Sequence, residues 1–165
     1  MLRKPFDADA LANVIQTTFG PPTPTTLAPT YEFASRSSGV AHRGRKRILI
    51  VEDDQKIAMG LALRMKAAGF EPTVAADGLS GVRCAMSHRP DLVLLDISLP
   101  VGDGFTVAER IQRNIPTPTP IIFLTASKIP EFRLRAQALG GVGFFEKPYE
   151  AEDLVAAVNN ALIAS

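Results

Sequence analysis

The sequence predicts an α/β fold in which a parallel sheet is wound by helices on both faces. Three observations predict it. Strand and helix patterns alternate five times after residue 46. Three of the strands are nearly continuous runs of Ile, Val and Leu, as strands buried on both faces must be. Polar residues stand at the carboxyl ends of four apolar strands, the edge where open α/β sheets place their ligands.

The elements follow in order. Strands are expected near 47–52, 71–75, 91–96, 120–125 and 142–145, with helices near 54–68, 78–89, 104–114, 129–139 and 150–163. The first helix carries Ile57, Leu61, Met65 and Ala68 at three-to-four spacing and stops at Gly69. The last aligns Leu154, Val155, Val158 and Leu162 on one face, with Glu152 and Asp153 in the first turn, where the helix dipole favours acids. Right-handed crossovers and the flavodoxin-like order 2-1-3-4-5 bring the ends of strands 1 and 3 together. Asp53 then lies beside Asp96.

Composition sets limits. The 165 residues carry net charge +1, so no global steering toward nucleic acid or membrane is expected. The single cysteine, Cys84, permits no internal disulfide, and its apolar helical spacing suits a buried thiol. No stretch reaches the roughly 18 apolar residues of a membrane span. With no signal-peptide core at the N-terminus, a cytoplasmic location is expected.

Chemistry gathers at the strand ends. Ile48–Val51 runs into Glu52-Asp53-Asp54, Leu92–Leu95 into Asp96, Ile121–Leu124 into Thr125, and Val142–Phe145 into Glu146-Lys147-Pro148. Carboxylates about 4 Å apart repel by roughly 4 kcal/mol per pair at an effective dielectric near 20. Glu52, Asp53 and Asp96 therefore need a cation, or one of them a proton. A few hard oxygen donors suit Mg²⁺ better than a soft metal. Asp53 and Asp54 are also candidate N-caps, Asp54 the better one. Lys147 precedes a proline, so it is biased away from helix and its peptide bond to Pro148 is a candidate cis bond. A lysine held there can meet Asp96 and then a phosphoryl oxygen.

These motifs resemble the receiver domain of two-component response regulators. The resemblance covers residues 46–165 and rests on Ile48–Asp53, Leu94–Pro100 with Asp103-Gly104, Thr125-Ala126 and Lys147-Pro148-Tyr149. It implies that Asp96 accepts a phosphoryl group from a phosphohistidine on a histidine kinase or phosphotransfer protein. It implies Mg²⁺ held by Glu52, Asp53, Asp96 and the backbone carbonyl of Ser98, with Lys147 and Thr125 on the phosphoryl oxygens. Thr125 and Phe144 would form the switch, Phe144 lacking the hydroxyl of a tyrosine. The surface changed would be the fourth helix, fifth strand and fifth helix, a possible homodimer face.

Residues 20–46 read as a Pro/Ser/Thr-rich basic linker, and 47–165 as the receiver. Lys4–Ile15 matches Lys147–Val158 at four identical and four conservative positions, so residues 1–19 resemble the end of another receiver. The chain is then expected to be a segment of a longer tandem-receiver protein, or a truncated form of one. With nothing after Ser165 for an output domain, sequence-specific DNA binding is not expected, although the basic linker leaves non-specific contact open. Nor is turnover as an enzyme. The alternative, an aspartyl-nucleophile phosphatase, needs a second acid two residues on, and that position is Ser98. A nucleotide-binding fold needs a glycine-rich turn where Glu52-Asp53-Asp54 stands.

Overall fold

The structure is a computed structural model that describes residues 44–100 and 102–164. The remnant expected at 1–19, the linker as far as residue 43, and Val101 lie outside the described residues.

Five strands and five helices alternate: β1 (Arg47–Val51), α1 (Gln55–Ala67), β2 (Glu71–Ala75), α2 (Gly78–His88), β3 (Leu92–Asp96), α3 (Gly104–Asn114), β4 (Ile121–Thr125), α4 (Pro130–Ala138), β5 (Gly141–Glu146) and α5 (Ala151–Ile163). All pairings are parallel and the order is β2-β1-β3-β4-β5, as expected from the sequence.

The sheet divides the core in two. Leu49, Val51, Val93, Leu95, Ile121 and Phe123 project into one cluster with apolar residues of α2, α3 and α4. Ile48, Ile50, Leu92, Leu94, Ile122 and Leu124 project the other way, against α1 and α5. The period-two alternation of side chains produces this division from runs that are apolar at every position. β3 and β4 are buried throughout.

Local signals explain the helix starts. Asp54 caps α1, accepting from Lys56 and Ile57 N–H groups at 2.8 and 3.1 Å. Asp77 and Ser80 form a capping box at α2, and Asp103 caps α3 through Phe105 N–H. The buried stripe of α1 differs from the expected one. It runs through Ala58, Leu61 and Met65, with Ile57 on its rim and Ala68 exposed beyond the last turn. Small Ala58, not the larger Ile57, faces the sheet, which lets the helix lie close to it. α4 is held least by burial: Ala136 is its only buried residue, and its N-cap, Ile129, makes no side-chain cap bond.

Candidate functional site

Parallel strands place their carboxyl ends on one edge, and the β1–β3 register sets Val51 beside Leu95. Glu52 and Asp96, each one residue further on, therefore meet. Both are buried, whereas Asp53 is exposed. Ligand oxygens of Glu52, Asp53 and Asp96 all lie within 4.8 Å of one another. Asp54, the neighbouring acid, is turned away as the α1 cap.

Lys147 closes the cluster. Its Nζ donates to Glu52 Oε2 at 2.7 Å and to Asp96 Oδ2 at 2.6 Å. The ammonium arrives there because Lys147 follows β5 directly, its N–H bonded to the Thr125 carbonyl at 2.7 Å. The Lys147–Pro148 bond is cis. Asp96 Oδ1 accepts from the Ser98 N–H at 2.8 Å, so both of its oxygens are engaged. Ser98 thus stands in the loop that leads from Asp96 toward α3.

The cluster is one positive charge against three negative ones. Burial pushes the Glu52 carboxyl above its ordinary range; the Lys147 hydrogen bond opposes the rise, and the charge of Asp96 adds to it. On the lysine, burial is the largest influence and pulls its pKa down. Hydrogen bonds and charges from Asp96 and Glu52 together outweigh it and leave the ammonium held more tightly than usual. Burial is thus the main cause for Glu52 and the two facing carboxylates for Lys147, in a cluster that carries an excess of negative charge. That excess also suits a small divalent cation. Three carboxylates supply three hard oxygens, and Mg²⁺ ordinarily completes its six positions with waters or carbonyls. The donor set fits.

Thr125 ends β4, fully buried, its Oγ1 accepting from Ser127 N–H at 3.0 Å. Phe144 is half-buried on β5 against the cluster of Phe105, Phe123 and Phe132. The structure thus brings Glu52, Asp53, Asp96 and Lys147 together, sets Thr125 at the adjacent strand end, and places Phe144 one strand further out. Sequence reading missed Arg133 and Arg135 of α4. Arg135 pairs with Asp103 at 2.9 Å and lies 4.4 Å from the Phe105 ring centre. Arg133 lies 4.7 Å from the Phe144 ring centre and 3.5 Å from Glu146. Cys84 is half-buried and outside the site, and burial pushes its thiol up, away from reactivity.

Comparison with known proteins gives a consistent pattern. The family model "Response regulator receiver domain" matches residues 48–159. The chain is 34% identical over 117 residues to the DNA-binding dual master transcriptional regulator RpaA of Synechocystis, covering 70% of this chain and 48% of that protein. It is 40% identical over 116 residues to the transcriptional activator protein IrlR of Burkholderia pseudomallei, covering 70% and 50%. The chain thus spans about half the length of these curated relatives. Among solved structures, a CheY-like receiver domain protein from Methanospirillum hungatei superposes with TM-score 0.70 at 26% identity, over 73% of this chain and 96% of that one. Chemotaxis protein CheY4 of Vibrio cholerae gives 0.67 at 28%, over 72% and 99%.

Proposed function

The chain belongs to the response regulator receiver domain family, and from that premise we propose that Asp96 is the phosphoacceptor of a two-component phosphorelay. The observation that carries the reading is the contact of Lys147 with Asp96 and Glu52 inside a cluster of three carboxylates. In the proposed step an Asp96 carboxylate oxygen attacks the phosphorus of a phosphohistidine. An O–P bond forms as the P–N bond breaks, and the imidazole leaves with the nitrogen electron pair and takes a proton from solvent. The donor is a histidine kinase or a histidine phosphotransfer protein.

Glu52, Asp53, Asp96 and the Ser98 carbonyl would hold Mg²⁺, which when bound neutralises charge on the phosphoryl oxygens. Lys147 already touches the acceptor oxygen and follows the charge onto the phosphoryl group. The Thr125 hydroxyl turns to donate to a second phosphoryl oxygen. Phe144 responds as the aromatic partner of that turn, and the surface of α4, β5 and α5 carries the change to a protein partner or to a second copy. Each chain takes one phosphoryl group and holds it, so this is an acceptor and not a turnover enzyme. A cytoplasmic setting, where kinases of this class keep their phosphohistidines, goes with the reading. Among the described residues, no helix is long and apolar enough to cross a membrane.

The test is labelling with a small-molecule phosphodonor in the presence of Mg²⁺, read by intact-mass spectrometry. The wild-type chain should gain one hydroxylamine-labile phosphoryl group, and Asp96→Asn should gain none while keeping its fold. A hydroxylamine-labile label that persists in Asp96→Asn overturns the assignment.

A further inference from the structure

The β4–β5 register pairs Thr125 with Glu146 and Phe123 with Phe144. Paired residues of parallel strands project to the same face, and so do residues two apart. Thr125, Phe144 and Glu146 therefore share the face that α4 covers. Arg133 of α4 spans two of them with one guanidinium: its Cζ lies 4.7 Å from the Phe144 ring centre, and its Nη2 3.5 Å from Glu146 Oε1. Glu146 in turn precedes Lys147, whose Nζ bonds Asp96 and whose N–H bonds the Thr125 carbonyl. The carboxylate that the guanidinium faces is thus one residue from the lysine of the acid cluster. Arg133 and Leu134 are themselves exposed and only Ala136 of α4 is buried, while Phe132 and Arg135 on either side contact Phe105.

We propose that Arg133 is a positioning residue that holds the Phe144 ring in its phosphoryl-free place beneath α4 and so sets how readily the Asp96 site takes up a phosphoryl group. The proposal rests on the reading of Asp96 as phosphoacceptor and adds a regulator to it. A contact made only in the phosphoryl-free arrangement lowers the population of the competent one, and apparent affinity falls by the same factor. An exposed guanidinium–ring contact corresponds to roughly a two- to five-fold factor in an equilibrium. Removing it tightens binding, the reverse of what a lost structural contact does.

The experiment titrates beryllofluoride, which mimics the acyl phosphate, into the full chain with saturating Mg²⁺. It compares wild type, Arg133→Ala, Arg133→Lys, Phe144→Leu and the Arg133→Ala/Phe144→Leu double variant by calorimetry. Aromatic NMR signals of Phe144 report the ring. Arg133→Ala should bind about two- to five-fold tighter, with the free-state ring signals moved toward their bound positions. Arg133→Lys, which keeps the charge toward Glu146 but not the flat stacking surface, should fall between. In the Phe144→Leu background the Arg133 change should have no effect. Unchanged or weaker binding by Arg133→Ala, or equal tightening in the Phe144→Leu background, overturns the proposal while leaving Asp96 as acceptor. A wild-type chain that binds no beryllofluoride overturns the phosphoacceptor reading itself, and the role of Arg133 falls with it.

Discussion

Lys147 carries more of the site's electrostatics than any other described side chain, because among the described residues its ammonium is the one positive charge bonded to Glu52 and Asp96. Removing a partner from a buried ion cluster leaves the remaining charges uncompensated. Lys147→Met should therefore destabilise the metal-free protein by about 3 kcal/mol, and Mg²⁺ should restore part of the loss; chemical denaturation with and without the ion measures both. Glu52 makes the opposite prediction. Its folded pKa is raised, so the fold binds its proton better than the unfolded chain does. That contribution is fully present below the unfolded value, about 4.3, and is lost as pH rises through the folded value. Lys147, also raised, contributes stability below about 10.4 that disappears only as pH climbs through its folded value. In metal-free protein, Glu52→Gln should raise stability near neutrality by on the order of 1 kcal/mol and abolish the downward slope above the unfolded Glu52 pKa. Melting temperatures taken between acid and neutral pH decide it.

The β3–α3 connection is the element with least tolerance. Gly104 opens α3 directly over the end of β3. A Cβ there would collide with the Asp96 carbonyl oxygen and stand 2.7 Å from Ile97 Cα. Both obstacles are backbone, so neither yields by a rotamer change. Gly104→Ala should cost about 2–4 kcal/mol and weaken Mg²⁺ binding, because the displaced strand end carries Asp96; denaturation and a Mg²⁺ titration read the two effects. The helix caps are more forgiving. Replacing Asp77 with Ala removes the capping box of α2 for about 1 kcal/mol, measurable as a lower denaturation midpoint with site function retained. α4 buries little, and arginine contacts to Phe105, Asp103, Phe144 and Glu146 supplement the apolar packing of Phe132 and Ala136.

For the molecule as a whole, the acid cluster couples folding to the cation. An ion that binds only the folded chain stabilises it by RT ln(1 + [L]/Kd), about 1.4 kcal/mol at tenfold excess over Kd. The melting temperature should rise by a few degrees with Mg²⁺ and not with a monovalent salt of equal ionic strength. The rise should shrink in Asp96→Asn, which removes one ligand charge.

Much of this architecture was legible in the chain. Runs such as Leu92–Leu95 and Ile121–Leu124 announce strands buried on two faces, and caps such as Asp54 act within three residues of themselves. Once strand–helix alternation implies a parallel sheet, the carboxyl ends must share an edge, so Glu52, Asp96, Thr125 and Lys147 were bound to converge. Helix phase was harder: the stripe through Ala58 and not Ile57 depends on how close α1 lies to the sheet. Tertiary structure alone decided that Lys147, expected from the sequence to meet Asp96, also reaches Glu52, 95 residues away in the chain. It alone set Arg133 over Phe144 and Arg135 over Phe105, because exposed arginines carry no periodic signal and their partners lie on other elements. Local hydrogen bonding and side-chain period are near-neighbour properties and can be read along the chain. Charge pairing between distant elements depends on packing distances that no local pattern encodes.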